Sequence, residues 1–223
     1  MVSINKLKRS VLVMSVLLAA LPAMAVEDEL CSPFQDGVVE ESLVGRMLSA
    51  ADDGYLYRTQ KDSSQVGFCV GSQLSEVTGT FREFQGGLAL GTPDGSNGQT
   101  MVAVNAASLE TDHAAIDPMI KGKRFFDVAN FPQILFVSSG FEWTGARSAI
   151  LTGDLTLHGE TRPVIFNVEL TNISEDIAGQ TDMILFKATT SINRSDFGMD
   201  TLSSLVSDTV RLCLSVEATK YRA

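Results

Sequence analysis

The sequence predicts an all-β fold, an antiparallel barrel of about eight strands, from three observations. From about Gln65 onward, apolar residues recur at every second position in runs of roughly five to ten residues. Glycine, asparagine, aspartate and proline separate these runs, as they do in turns between antiparallel strands. Of the 12 phenylalanines, 11 lie between Phe68 and Phe197. A barrel has no edge strands, which favours it over a sandwich. Periodicity does not distinguish an open lumen lined by phenylalanine rings from a filled core.

The first 25 residues predict a cleaved secretory signal peptide. A basic stretch at 5–9 precedes an apolar run of about eleven residues at 11–21, which ends in the A-x-A pattern at 23–25. The run is shorter than the roughly 20 residues needed to span a bilayer, and no later run approaches that length. We therefore expect cleavage near Ala25 and no stable membrane insertion afterwards.

Residues 26–60 predict an N-terminal helical extension. Val39, Leu43, Met47 and Ala50 follow one another at steps of three and four, the spacing of one apolar helix face. Gly54 is a plausible end for the helix. A small helix that packs on the main domain, or plugs it, is favoured over a helix that binds a partner.

Residues 61–223 predict the barrel domain. Between Leu109 and Phe126 the alternation lapses, and residues 114–123 predict a short helix across one barrel end. The alternating runs lie at 66–70, 77–81, 88–90, 102–104, 134–141, 151–157, 164–170, 184–188 and 210–218. By strand phase, the residues placed along a tunnel or core are Phe68, Val77, Phe81, Phe136, Leu155, Phe166, Phe186, Leu212 and Leu214.

Export would place the three cysteines in an oxidising compartment, so we expect a disulfide. Cys69 and Cys213 both lie on the polar face of their strands, and they meet if the first and last strands are neighbours. Cys31 is the alternative partner of either one, joining the extension to the barrel. Three cysteines and two histidines do not form a metal-site spacing.

Charge and motifs favour a binding protein over an enzyme. The formal net charge of −10 disfavours nucleic-acid binding and electrostatic attachment to anionic membranes. The only histidines, His113 and His158, lie in turn-like contexts, and neither a G-x-S-x-G motif nor a phosphate-binding loop is present. We therefore predict no catalytic residues, no metal and no cofactor.

Five blocks between Tyr57 and Ala218 follow one another in the order and spacing of a known family. They are 77–86 (VTGTFREFQG), 108–111 (SLET), 125–132 (FFDVANFP), 153–164 (GDLTLHGETRPV) and 192–199 (INRSDFGM). Together they resemble the YceI-like family, exported bacterial lipocalin-like proteins that bind polyisoprenoids.

The resemblance implies an extended lipocalin-like barrel whose apolar tunnel holds a polyprenyl chain or a quinone tail. The chain would then be a periplasmic carrier, and the residues placed along the tunnel would contact its ligand. Arg194 would either meet the ligand head or fix its own loop. The family often has Arg-Asp-x-His-Leu-Arg where residues 116–121 read IDPMIK, and its early His-Ser pair reads Ser63-Ser64. These departures imply a different headgroup or none.

Two other functions remain open at this point. One is a non-enzymatic envelope stress or interaction module with a filled barrel core, and the other, less favoured, is a hydrolase or isomerase acting on a lipid. A homodimer is also left open.

Overall fold

The structure is a computed structural model that describes residues 45, 47–49, 55–90, 98–172 and 181–221. The predicted signal peptide, Cys31 and most of the predicted N-terminal helix lie outside these residues. The strands are β1 (Leu56–Thr59), β2 (Gln65–Ser72), β3 (Glu76–Phe81), β4 (Phe84–Ala89), β5 (Gln99–Asn105), β6 (Leu109–Thr111), β7 (Gln133–Gly145), β8 (Ser148–Leu157), β9 (Glu160–Leu170), β10 (Met183–Asn193) and β11 (Val206–Lys220).

All these strands form one antiparallel sheet that closes on itself. The circuit runs β1-β4-β5-β7-β8-β9-β10-β11 and returns to β1, where Tyr57 pairs with Lys220. Strands β2, β3 and β6 continue β1, β4 and β5 toward the other end, beyond three bends in the chain. The fold is therefore the closed eight-stranded antiparallel barrel that the sequence predicts, with three of its strands interrupted.

Strand β1 lies inside the range 26–60 that the sequence assigns to the extension. Leu56 and Tyr57 are both fully buried, although they point to opposite faces of the sheet. Such a strand shows no alternation of apolar and polar residues, which is why the period-two pattern begins only at Gln65.

The described helical residues of the extension pack on the outside of the barrel near its first strands. Gly45 and residues 47–49 are helical, and the Met47 side chain is buried. Met47 belongs to an apolar cluster on the outer wall, separate from the barrel interior. The other buried members of this cluster are Leu56, Ala89, Met101, Ala103 and Leu135.

The predicted helix near 114–123 is present. A 3₁₀ turn, Ala114–Ile116, leads into a one-turn α-helix, Asp117–Lys121. The Asp117 carboxylate accepts hydrogen bonds from the backbone N–H and the hydroxyl of Thr111, at 3.1 and 2.6 Å. These bonds join the start of the helix to β6 and place the helix across one end of the barrel.

Candidate functional site

The barrel encloses a cavity of about 600 Å³, within the usual size range of small-molecule sites. A filled core, the alternative left open by the sequence, does not describe this interior. All ten residues chosen from the sequence line the cavity, and their contact with a ligand stays a prediction. They are Phe68, Val77, Phe81, Phe136, Leu155, Phe166, Phe186, Arg194, Leu212 and Leu214.

Glycines let two of the phenylalanine rings lie against the wall instead of crossing the lumen. Phe68 pairs with Gly79 on the neighbouring strand, and a Cβ at Gly79 would approach that ring to 2.4 Å. A Cβ at Gly153 would approach the ring of Phe136 to 2.7 Å. The rings therefore occupy the space that these glycines leave at the wall, and the centre of the barrel remains open.

One end of the cavity is closed by packed side chains. Tyr57 is fully buried there, and its hydroxyl donates a hydrogen bond to the carbonyl of Thr181 at 2.6 Å. Burial, together with the charge of Asp182, raises the pKa of Tyr57 to about 12. Leu90 and Ile184 are buried in the same core cluster, so the described residues at this end form a floor.

The opposite end is an open mouth formed by three segments. They are the turn at 72–75, the segment 113–126 that contains the short helix, and the loop 199–206. Leu74 lines the cavity and yet is 96% exposed, and Leu205 is 47% exposed. Side chains that both line the cavity and reach solvent mark the route between the two.

Arg194 organises the loop at this mouth. It is only 4% exposed, and its guanidinium donates to the backbone carbonyls of Ser207, Met199, Thr201 and Val206. Of the two roles that the sequence left open, this geometry supports loop fixing. Because carbonyls take these donors, the arginine supplies little charge recognition to a ligand.

The cavity wall is otherwise almost entirely apolar. Among the lining residues that the structure describes, Arg194 is the one with a permanent charge. Polar side chains lie mainly at the mouth, where Ser72, Gln73, Ser75 and His113 are found. This arrangement suits a ligand with a long apolar body and a small polar end.

The histidines lie in turns, as the sequence predicts. His113 precedes the 3₁₀ turn, and His158 lies between β8 and β9 with its Nδ1 3.0 Å from the carbonyl of Phe197. The His158 ring also packs against Phe131, with ring centroids 4.8 Å apart. Within the described ranges, no group of three or more His, Cys, Asp or Glu side chains could hold a metal ion. No helix in those ranges is long and apolar enough to cross a membrane.

Cys69 and Cys213 are free thiols in the structure, so the predicted bridge between them is not formed. Their strands, β2 and β11, are neighbours as expected, but Cys213 pairs with Gly67 and Cys69 pairs with Arg211. The two cysteines are therefore diagonal across the strands, with Cβ atoms roughly 7 Å apart. A disulfide needs about 3.5–4.5 Å. Bridges to Cys31 lie outside the described residues.

The sequence pattern missed most of the mouth. Leu74 and Leu202 lie in turns, where no periodicity marks a side chain as part of a site. Leu202 has a φ of +57°, which its sequence does not signal because leucine rarely adopts this conformation. Met119 carried the one available signal, since it stands where the resembling family often has a histidine.

Comparisons with known proteins agree with this architecture. A UPF0312 protein of Pseudomonas putida (strain W619) is 36% identical over 148 residues, which are 66% of this chain and 76% of the relative. A UPF0312 protein of Pseudomonas fluorescens (strain SBW25) is also 36% identical, with the same coverage.

Three solved structures share the fold. Burkholderia cenocepacia BcnA has a TM-score of 0.65 at 23% identity, covering 72% of this chain and 99% of that one. A Campylobacter jejuni YCEI protein has a TM-score of 0.57 at 23% identity, with coverage of 65% and 85%. A Saccharophagus degradans domain described as polyisoprenoid binding has a TM-score of 0.56 at 14% identity, with coverage of 74% and 98%. At these identities the likeness concerns the fold alone.

The match to a family extends over most of the barrel. The YceI-like domain matches residues 57–218, which begin in β1 and end in β11. This range contains the floor, the cavity wall and the mouth. The chain therefore belongs to the YceI-like domain family.

Proposed function

We propose that this protein binds and carries an isoprenoid lipid, a polyprenyl chain or a quinone tail, in the periplasm. The observation that carries the proposal is a closed barrel around an apolar cavity of about 600 Å³, with a mouth at the end that bears the short helix. Two further findings support the proposal. The chain belongs to the YceI-like domain family, and a domain described as polyisoprenoid binding shares its fold. The export pattern in residues 1–25 supports the location.

The energetics of an apolar wall favour a long chain over a small molecule. Burying one CH₂ group stabilises a complex by about 0.8 kcal/mol. Association costs roughly 4–15 kcal/mol in lost translational and rotational freedom, so about 5–20 buried carbons are needed merely to offset that loss. Several isoprene units meet this requirement without any charged contact.

The mouth favours a neutral headgroup such as a quinone over a phosphate. The guanidinium of Arg194 is occupied by backbone carbonyls, which leaves it few donors for an anion. Met119 and Ile116 stand where the resembling family often has histidine and arginine. Lys121 keeps a positive charge in place of the family's second arginine, but it does not line the cavity. The side chains of Ser75 and His113 at the mouth can hydrogen-bond a carbonyl or hydroxyl group.

Binding, and not catalysis, is the function that this site supports. The described residues of the cavity wall include no carboxylate, and the histidine among them lies at the mouth in contact with solvent. A general acid or base must lie within hydrogen-bond reach of the reacting group. The deep part of the cavity, where most of a chain would lie, has threonines as its polar side chains.

The test is native mass spectrometry of the protein purified from its own source, followed by organic extraction of anything bound. We expect a co-purifying prenylated molecule of a few hundred daltons or more. A protein that carries no prenyl lipid and takes up none when a prenylated quinone is added would contradict the proposal.

A pair of variants on one strand locates the binding. Leu214 lines the cavity and the adjacent Ser215 is exposed on the outer wall, so Leu214→Trp fills the lumen and Ser215→Trp does not. We expect Leu214→Trp to weaken quinone uptake at least tenfold, whereas Ser215→Trp leaves it within twofold. Equal uptake by the two variants would place the ligand outside the cavity.

A further inference from the structure

Exposed apolar side chains are concentrated at the cavity mouth. The described residues include seven exposed large apolar side chains, and four of these, Leu74, Met119, Leu202 and Leu205, line the cavity. We call these four the apolar rim. We infer that the apolar rim is the surface by which the protein contacts a lipid bilayer and exchanges its ligand with it. This inference rests on the proposed function.

The segments that bear the rim are tied to one another or to the barrel wall. The backbone N–H of Gln73 donates to the carbonyl of Leu205 at 3.0 Å, and its side-chain amide donates to the carbonyl of Ser204 at 2.8 Å. On the other side, Asp112 and Thr78 exchange two hydrogen bonds that join the start of the helical segment to β3. Two of the three segments are therefore joined directly to each other, and the third is fixed to the barrel wall.

Leu202 shows that the exposure of the rim is not explained by folding. Its φ of +57° is unfavourable for a leucine and ordinary for asparagine or glycine. The loop is held around it, because Arg194 donates to the carbonyls of Thr201 and Val206 on either side. A polar residue would fit this backbone better and would expose no apolar surface, so contact with an apolar phase is the simplest reason for leucine here.

A bilayer is the occupant that fits both the rim and the cavity. A polyprenyl chain is dissolved in the hydrocarbon of a membrane and not in water, so it must cross the interface at the mouth. A rim continuous with the apolar wall lets the chain pass without exposure to water. The chain has a formal net charge of −10, but Lys121, Lys123 and Arg124 lie in the segment that bears Met119. Zwitterionic bilayers therefore separate contact through apolar burial from attraction between charges.

The test compares one triple variant with one control in sedimentation with phosphatidylcholine vesicles. The variant is Leu74→Ser, Leu202→Asn and Leu205→Ser, in which asparagine suits the φ of position 202. The control is Ile165→Ser, because Ile165 is 58% exposed on the outer wall and does not line the cavity. We expect vesicle binding to fall at least tenfold in the triple variant and less than twofold in the control.

Two uptake measurements separate this inference from the proposed function. One follows a short, water-soluble prenyl quinone taken from solution, and the other follows a long-chain quinone taken from vesicles. Because the three leucines also line the mouth of the cavity, the two rates are compared with each other. In the triple variant, uptake of the long-chain quinone from vesicles should slow at least tenfold more than uptake of the short quinone from solution. If the triple variant extracts the long-chain quinone at the wild-type rate, the rim inference is wrong while the proposed function stands.

Further outcomes also distinguish the rim inference from the proposed function. A wild-type protein that takes up neither quinone would contradict the proposed function, and vesicle sedimentation would still decide whether the rim binds a bilayer. Wild-type protein that binds vesicles no better than the triple variant would overturn the inference. So would a wild-type dimer that the triple variant dissociates without any binding to vesicles, because the rim would then join two copies of the chain.

Discussion

Apolar side chains are buried at the floor of the barrel, whereas several are exposed at its mouth. At the floor, Tyr57 and Ile184 are fully buried, and the one polar group of the tyrosine is hydrogen-bonded. At the mouth, leucines that line the same cavity face solvent, and a buried arginine fixes the backbone around them. Close packing contributes stability at one end, whereas exposed apolar surface at the other end contributes none to folding.

The two ends should therefore respond differently to substitution. Substitutions at the floor should act mainly on the free energy of unfolding, because they remove packed groups that have no access to solvent. Substitutions on the rim should act mainly on ligand exchange. The five tests below concern four sites, taken from the largest expected effect to the smallest.

Truncation of the floor should have the largest effect. Tyr57→Ala removes a fully buried ring and leaves the Thr181 carbonyl without its donor, so we expect unfolding free energy to fall by about 3–5 kcal/mol. Urea denaturation measures it. Tyr57→Phe keeps the ring and loses only the hydrogen bond, and it should cost about 1–2 kcal/mol. A loss below about 1 kcal/mol in Tyr57→Ala would mean that this end is not packed as described.

The same tyrosine gives the floor a pH dependence. Its pKa is raised from 10.0 to about 12, so the protonated hydroxyl stabilises the folded state fully below pH 10. This contribution is lost as the pH rises through about 12. The stability difference between wild type and Tyr57→Phe should therefore shrink across that interval, and a constant difference would contradict the assigned cause.

Removal of the arginine that fixes the mouth should have the next largest effect. Arg194→Met leaves four carbonyls without their donor, and we expect a loss of about 2–4 kcal/mol in unfolding free energy. Hydrogen exchange should also rise first in the loop 199–206. Arg194→Lys keeps the charge but lacks the planar set of donors. Its unfolding free energy should therefore lie between those of wild type and Arg194→Met. Unchanged exchange in this loop would show that other contacts hold it.

The arginine also shows how far the sequence predicts this site. Strand phase correctly placed residues such as Phe136 and Leu214 on the cavity wall, because alternation is a local property of a half-buried strand. It could not choose between two roles for Arg194, since the four carbonyls that it binds become neighbours only in the folded loop. The resemblance to the YceI-like family implied a lipocalin-like barrel. The geometry of the folded loop then supported loop fixing over ligand recognition as the role of Arg194.

Other features were beyond local pattern for related reasons. Leu74 lies in a turn, and its place on the cavity mouth depends on how that turn packs against the loop 199–206. Cys69 and Cys213 are offset because of the register between β2 and β11. Alternation alone does not predict which residues of two neighbouring strands pair. Strand β1 was missed because both of its faces are covered. Tertiary arrangement decides each of these.

Between the two ends, a glycine keeps the lumen open, and its substitution should have an intermediate effect. Gly79→Ala places a Cβ 2.4 Å from the Phe68 ring, so the ring must move toward the lumen. We expect a loss of about 1–3 kcal/mol and weaker uptake of a prenylated quinone. Gly145→Ala is the control, because its nearest contact would be an ordinary 3.8 Å. Equal quinone uptake by the two variants would show that this ring does not limit the lumen.

The smallest effect is expected at an exposed pair beside the mouth. Ser195 donates from its backbone N–H and its hydroxyl to the Asp208 carboxylate, at 3.0 and 2.7 Å, and these bonds lower the pKa of Asp208 below 3.8. The stabilisation is therefore present above pH 3.8 and is lost as the pH falls below it. Because the carboxylate is exposed, Asp208→Asn should cost less than about 1 kcal/mol at neutral pH.

Chemical denaturation at neutral pH and near pH 3 measures how much this pair stabilises the fold. Ser195→Ala is the matched variant, because it removes the hydroxyl that donates to Asp208. The two variants should lose similar stability at neutral pH and should both approach wild type in acid. A loss as large as that of Arg194→Met would mean that the mouth is held by its surface as much as by its buried arginine. The contrast between a packed floor and a mouth fixed from within would then no longer hold.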